Sequence, residues 1–181
     1  MILQRGSRVD RTFTVSDTIH IEAPIERCFL LSTSIDLVRR TLGMRPVEGK
    51  TSGLAEKGDK LVWVGWKFGL PQMHETLITE YQRPAFFQDT MGRGRFRTFC
   101  HDHSFLEMEG LTVLQDKVRF SMPLGFAGDM VAEKIMVPHI SKLLKRRFLL
   151  LKKVAEGEEW RVYLKGQEMS GAGGLRDASH G

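Results

Sequence analysis

The chain has 181 residues, of which 41% are hydrophobic and 27% are charged, as is typical of one soluble globular domain with a real core. No apolar run approaches the roughly 18 residues that a membrane-spanning helix needs, and two cysteines are too few for a disulfide framework or a four-cysteine zinc site. The net charge of +5 equals the excess of basic residues within 126–155, so the rest of the chain is neutral, unlike a dedicated nucleic-acid-binding protein.

The N-terminal quarter predicts a leader, a strand and two short helices. Residues 1–10 lack the apolar middle of a signal peptide, and we expect a flexible leader on a cytoplasmic protein. Residues 11–23 alternate in polarity and are rich in β-branched side chains, which predicts a strand. Pro24 suits the first turn of a helix, and the hydroxyls of Ser32 to Ser34 predict a break before a second helix that ends near Leu42.

Strand-like segments separated by short turns follow, as in an antiparallel meander. They cover residues 59–69, 72–82, 85–91, 95–108 and 111–122. Residues 126–155 have apolar side chains at three- and four-residue steps and predict one long helix, which Pro138 should kink. Residues 159–164 suggest a small extra strand, and the Gly- and Ser-rich tail from Gly166 suggests disorder. We therefore expect a domain over 11–156 and an extension over 157–181.

This order of elements predicts an α+β protein in which a curved antiparallel sheet wraps around a long C-terminal helix. A sheet that curls over a helix encloses either a filled core or a cavity. The side chains that point inward determine whether the interior is a filled core or a cavity.

The segment 99–105 places two histidines and two phenylalanines on one face of a strand, because alternate residues share a face. If Glu109 and Gly110 form the next turn, His103 lies directly opposite Asp116, and opposed side chains are in contact distance. The apolar residues of both strands share this face, so the face points inward. The same pairing places Phe99 opposite Phe120 and Phe105 opposite Leu114.

Two interpretations of the buried His103–Asp116 pair remain open. A buried carboxylate beside a histidine should pair with it, because either charge alone is costly in apolar surroundings. The pair then either braces the sheet interior or lines a pocket that holds the polar group of a ligand. The position of His74 in the alternation of its own strand places its side chain on the same inward side.

The spacing of His101, His103 and Glu107 matches the first metal-binding motif of the cupins. The second cupin motif needs a histidine shortly after Pro-x-Gly, and the Pro-x-Gly at 123–125 has none. A long C-terminal helix also does not suit a jelly roll, so we expect no metal. There is no G-x-S-x-G elbow, and neither cysteine has a catalytic signature, which argues against nucleophilic catalysis.

Five segments in this order resemble the START/SRPBCC superfamily, which has the helix-grip or Bet v 1-like fold. They are IEAPIERCF, GDKLVWVGWKFG, ITEYQRPAFFQDTMGRGRFRTFCHDHSF, GLTVLQDKVRFSMPLG and the long helix. More narrowly, the chain looks like the bacterial polyketide cyclase/dehydrase and lipid transport branch. Pro138 within the last helix and the extension after Glu156 depart from the pattern.

The resemblance implies a mostly apolar cavity between sheet and helix that holds a hydrophobic small molecule, without a cofactor. The residues that would line it are Trp63, His74, Phe87, Asp89, Phe99, His101, His103, Phe105, Asp116, Phe120 and Met130.

Two functions fit these residues. One is a carrier or sensor for a lipid, quinone or polyketide-like ligand, with His101, His103 and Asp116 at its polar end. The other is a polyketide cyclase or dehydratase in which His103 and Asp116 act as general base. The basic helix, with Lys142, Lys145, Arg146, Lys152 and Lys153, is either a solvated face or a peripheral contact with an anionic membrane.

Overall fold

A computed structural model describes residues 11–166, in which seven antiparallel strands form one sheet in the order β1-β7-β6-β5-β4-β3-β2. The strands are β1 Phe13–Ile21, β2 Arg45–Gly49, β3 Lys60–Lys67, β4 Leu70–Gln82, β5 Phe86–Met91, β6 Thr98–Met108 and β7 Leu111–Ser121. The helices are α1 Ile25–Thr33, α2 Ile35–Leu42, α3 Phe126–Val131, a π-helical turn Ala132–Met136, α4 Val137–Glu156 and α5 Trp160–Tyr163. The α+β helix-grip architecture expected from the sequence is confirmed.

The predicted register of the last hairpin is confirmed. Residues Glu109 and Gly110 make the turn with φ of 52° and 79°, and His103 pairs with Asp116. The break between the two short helices also occurs where the hydroxyls predict it, at Ser34. The inward face of β6 and β7 is therefore the one that carries the histidines.

Strand β2 has no counterpart among the predicted elements. It is five residues long, contains Pro46, and has a register shift between Pro46 and Glu48. A short edge strand that is mostly exposed has no apolar alternation for a sequence pattern to detect.

Pro138 coincides with a change of helical geometry within the predicted long helix. The chain is helical from Phe126 to Glu156, and Pro138 lies in the first turn of α4, directly after the π-helical turn. A proline donates no amide hydrogen to the preceding turn, and the wider π-helical turn is the local change of geometry that accompanies this loss.

The expected strand at 159–164 is wrong, because residues Trp160–Tyr163 form the short helix α5. Trp160, Tyr163 and Leu164 are three and four residues apart, so a helical turn directs them to one side. Leu164 is buried, and the guanidinium of Arg27 lies 4.4 Å from the centre of the Trp160 ring. The predicted leader, 1–10, and the tail beyond residue 166 lie outside the described residues.

Two apolar clusters fill different ends of the space between the sheet and α4. The closed-end cluster lies under α1 and contains Phe29, Phe87, Phe105, Leu114, Phe148 and Leu151. The open-end cluster lies by the first half of α4 and contains Phe13, Val118, Phe120, Ile140 and Leu144. Within residues 11–166, no helix is long and apolar enough to cross a membrane.

Candidate functional site

A layer of four buried ionisable side chains lies between the two clusters, and we call it the charged layer. Its members are Asp89 on β5, His103 on β6, Asp116 on β7 and Arg147 on α4. His103 Nδ1 is 2.7 Å from Asp116 Oδ1, and His103 Nε2 is 3.1 Å from Asp89 Oδ2. Arg147 Nε donates to Asp116 Oδ2 at 3.0 Å. Each carboxylate therefore has a cationic partner.

The register of the strands explains why the layer separates the clusters. Along β7, Leu114 belongs to the closed-end cluster and Val118 to the open-end cluster, and Asp116 lies between them on the same face. Arg147 has the corresponding place on α4, between the halves of that helix that enter the two clusters. The ring of Phe87 stacks on His103 from the closed end, with ring centres 4.0 Å apart.

Burial and neighbouring charges shift the pKa values of the three titratable groups Asp116, His103 and Asp89 in the charged layer. Burial opposes charge on Asp116, but His103 and Arg147 outweigh it and hold the pKa of Asp116 well below its usual range. Burial also opposes charge on His103, yet Asp116 and Asp89 raise the pKa of His103 above its ordinary value. Burial also opposes charge on Asp89, but the hydrogen bond to His103 and the nearby histidines together lower the pKa of Asp89. Asp116 thus lies between the imidazole of His103 and the guanidinium of Arg147, and Asp89 faces the other nitrogen of that imidazole.

His101 lies beside this layer on its open side. Burial and the nearby charge of His103 lower the pKa of His101, so its ring is neutral near pH 7. Its Nε2 is 3.5 Å from Asp116 Oδ2 and makes no hydrogen bond. Next to the charged layer, His101 therefore has a buried ring nitrogen that makes no hydrogen bond.

A cavity of about 500 Å³ opens from the charged layer toward the start of the long helix. Its wall is mostly apolar and comes from α2, the β3–β4 hairpin, β6, the π-helical turn and α4. Polar side chains at its inner end are His101 and Arg147. The volume lies within the range of small-molecule sites, roughly 300–1,000 Å³.

The predicted site residues divide into three groups. His74, Phe99 and His101 line the cavity, and Asp89, His103 and Asp116 belong to the charged layer below it. The other five do not line it, which corrects the wall inferred from the resemblance. Phe87 and Phe105 lie in the closed-end cluster, Phe120 is buried in the open-end cluster, Trp63 packs with Ile35, Leu61 and Ile78, and Met130 is 52% exposed.

Arg147 is the functional residue that the sequence analysis missed. It was counted with the basic residues of the helix, although it is three residues after Leu144 and four before Leu151, both of which are buried. That spacing places it on the buried face. An arginine among the apolar residues of a helix face indicates a buried ion pair, and this pattern in the sequence could have identified Arg147.

Three of these side chains have the arrangement of metal ligands. The donor atoms of Asp89, His101 and His103 all lie within 4.8 Å of one another. The sequence analysis considered Glu107 as the carboxylate, but Glu107 is exposed near the far end of β6. Asp89 pairs directly with His101 across β5 and β6, so the neighbouring strand supplies the carboxylate.

No protein-family model matches the sequence, and no curated protein matches it either. Solved structures do match. BexL, a di-domain ARO/CYC from the BE-7585A biosynthetic pathway, has a TM-score of 0.63 and 15% identity over 81% of this chain and 50% of BexL. The major latex-like protein 151 of Panax ginseng has a TM-score of 0.60 and 8% identity over 81% of this chain and 99% of that protein.

Ara h 8.0201 has a TM-score of 0.55 and 13% identity over 80% of this chain and 98% of its own. Identities this low establish a shared fold and leave the activity of each protein its own. Together with the sheet order and the long C-terminal helix, they show that this chain has the Bet v 1-like, helix-grip fold.

Proposed function

We propose that the protein is a carrier or sensor that binds one hydrophobic small molecule in the cavity between the sheet and α4. The ligand places its apolar body against the wall of the cavity and a polar group, such as a carbonyl, hydroxyl or carboxylate, near His101 and Arg147. A lipid, a quinone or a polyketide-like molecule has this division into an apolar body and a polar end.

The single observation that carries the proposal is a mostly apolar cavity wall with an imidazole and a guanidinium, those of His101 and Arg147, at the inner end. Apolar cavities with a few placed polar groups are typical of small-molecule sites. Arg147 keeps 11% of its side chain exposed while donating to Asp116, so part of its guanidinium remains available to an acceptor. The ring of His101 lines the same end of the cavity and keeps 12% of its side chain exposed.

Filling the cavity should abolish binding of an apolar probe. Leu143 lines the cavity, and Leu143→Trp adds an indole where the ligand body would lie. We expect phenylnaphthylamine to bind the parent protein at one site per chain and the variant at least tenfold more weakly, as measured by fluorescence titration.

The matched control is Leu149→Trp, the same substitution on the same helix at a side chain that is 67% exposed. It should bind the probe like the parent. Equal affinity of the parent and Leu143→Trp would contradict the proposal.

A second candidate function is that of a cyclase or dehydratase. The contact between His103 Nδ1 and Asp116 Oδ1, at 2.7 Å, favours it. Both ring nitrogens of His103 already face carboxylates, however, and His103 does not line the cavity. In this function His101 would be the histidine that meets the substrate. Mass spectrometry of the purified protein distinguishes the two: a stoichiometric bound molecule recovered unchanged favours the carrier, and conversion of an added polyketide-like substrate favours the enzyme.

We include contact with an anionic membrane in the same proposal, because a carrier of a hydrophobic molecule must take up that molecule, and a membrane can supply it. Lys145 and Lys153 are exposed, whereas Lys152 donates to the carbonyl of His20 and Arg146 to that of Arg40. We expect the protein to co-sediment with phosphatidylserine vesicles at low salt and Lys145→Glu/Lys153→Glu to co-sediment less. Absence of the parent protein from the vesicle pellet would exclude this contact.

A further inference from the structure

We infer that Asp89, His101 and His103 form a binding site for one divalent transition-metal ion, such as Zn²⁺, at the inner end of the cavity. The inference goes beyond the proposed function, because an ion can bind here without any organic ligand. Three steps support it: the spacing of the donor atoms, the groups that orient the histidines, and the access from the cavity.

The two distances from Asp89 to the histidines are close to the spacing of ligands around an ion, and all three donor atoms lie within 4.8 Å of one another. Asp89 Oδ2 is 3.1 Å from His103 Nε2 and 3.7 Å from His101 Nδ1. Bonds of about 2.0–2.2 Å in a tetrahedral site place neighbouring ligands about 3.3 Å apart. Two imidazoles and one carboxylate suit Zn²⁺ and its first-row neighbours, whereas Mg²⁺ and Ca²⁺ prefer oxygen ligands alone.

Asp116 lies where it can orient both histidines. It accepts from His103 Nδ1 at 2.7 Å and faces His101 Nε2 at 3.5 Å. A histidine that ligates a metal usually donates its other N–H to a carboxylate, which leaves the ligating nitrogen without a proton. Arg147 donates to Asp116 in turn, so the orienting carboxylate is itself fixed. The outer groups of a metal site are therefore present around these three ligands.

The site meets the cavity through His101, which lines it. The side chains of His101 and Asp89 keep 12% and 15% of their surface exposed, while those of His103 and Asp116 keep 2% and 0%. An ion entering here takes the place of the proton between His103 Nε2 and Asp89, and that proton leaves to solvent. Three protein ligands leave the fourth position of a tetrahedral site for water or an oxygen of a ligand.

The test uses the full chain after treatment with a chelator. We expect Zn²⁺ titrated by calorimetry to bind at one site per chain, and bound Co²⁺ to show the intense visible absorption of a low-coordinate ion. Asp89→Asn and His101→Gln each remove one ligand at a partly exposed position. Each should weaken Zn²⁺ binding by about 100-fold or more and abolish the Co²⁺ absorption, since loss of an outer group alone costs about 10- to 100-fold.

The matched control is His139→Gln, because His139 also lines the cavity but is not part of the ligand set. It should bind Zn²⁺ like the parent. The inference is overturned if the parent does not bind Zn²⁺ at one site, or if binding survives both Asp89→Asn and His101→Gln. It is also overturned if His139→Gln removes binding equally, which would reveal an adventitious histidine site. Phenylnaphthylamine binding by the same variants reports separately on the proposed ligand cavity.

Discussion

Replacing Asp116 with Asn should lower the free energy of unfolding by about 3–5 kcal/mol, because breaking one partner of a buried ion pair leaves a charge without compensation. In the native chain Asp116 is fully buried and joins Arg147 and His103. The amide of Asn carries no charge, so the guanidinium of Arg147 loses its counterion and His103 loses one of its two carboxylate partners. Urea unfolding of the parent and the variant measures the difference.

The matched control for this prediction is Asp102→Asn on the outer face of the same sheet. Asp102 also pairs with an arginine, since Arg119 Nη2 is 2.7 Å from its Oδ2, but the Arg119 side chain is 42% exposed. Water can replace that partner, so we expect a loss of about 1 kcal/mol or less. An equal decrease in the free energy of unfolding for the two variants would contradict the prediction, because it would mean that Asp116 stabilises the fold no more than a carboxylate in a surface ion pair does.

A double variant tests whether the unpaired charge causes the loss. Asp116→Asn/Arg147→Met removes the carboxylate and the guanidinium together, which leaves no buried arginine without a partner. We expect it to be more stable than Asp116→Asn alone, because buried pairs can be replaced by apolar side chains at little cost.

Truncating Phe29 to alanine should also lower the free energy of unfolding by about 3–5 kcal/mol. The Phe29 ring is fully buried and makes edge contacts with Tyr81, Phe87 and Phe105, with ring centres 5.1, 5.6 and 5.3 Å away. Its removal leaves a hole in the closed-end cluster that neighbouring side chains fill only in part. Thermal or urea unfolding measures the effect.

Phe68→Ala is the control for this truncation, since Phe68 is 59% exposed on the β3–β4 turn and should cost less than about 1 kcal/mol. Phe29→Ala, while folded, should still bind phenylnaphthylamine, because the charged layer separates Phe29 from the cavity. A Phe29→Ala variant as stable as Phe68→Ala would mean that the closed end is loosely packed.

The sequence predicts the fold well because most elements have a strong local signal. Alternation sets the inward face of β6, and the turn at Glu109 and Gly110 sets its register with β7. These two facts alone place His103 against Asp116. The order of the elements along the chain then predicts a curved sheet around the long helix, and the structure confirms this architecture.

The division of the interior into a filled end and an open end could not be predicted in this way. Parity shows that Phe87, Phe105 and Phe120 point inward, but it does not show whether a ring packs in a core or faces a cavity. That depends on α1, whose Phe29 fills one end, and on the position of each residue along its strand. Arg147 was missed for a related reason, since its charge was given more weight than its helical position.

The charged layer has a consequence for how this sequence can change during evolution. Its four members come from β5, β6, β7 and α4; replacing His103 leaves Asp89 without its partner in the layer, and replacing Asp116 leaves Arg147 without its carboxylate. We therefore expect His103 and Asp116 to be the members that change least among descendants of this chain. Apolar residues of the cavity wall can be exchanged singly for others of similar volume at a cost below about 1.5 kcal/mol. New ligand preferences can thus arise at the open end while the layer beneath it keeps the fold unchanged.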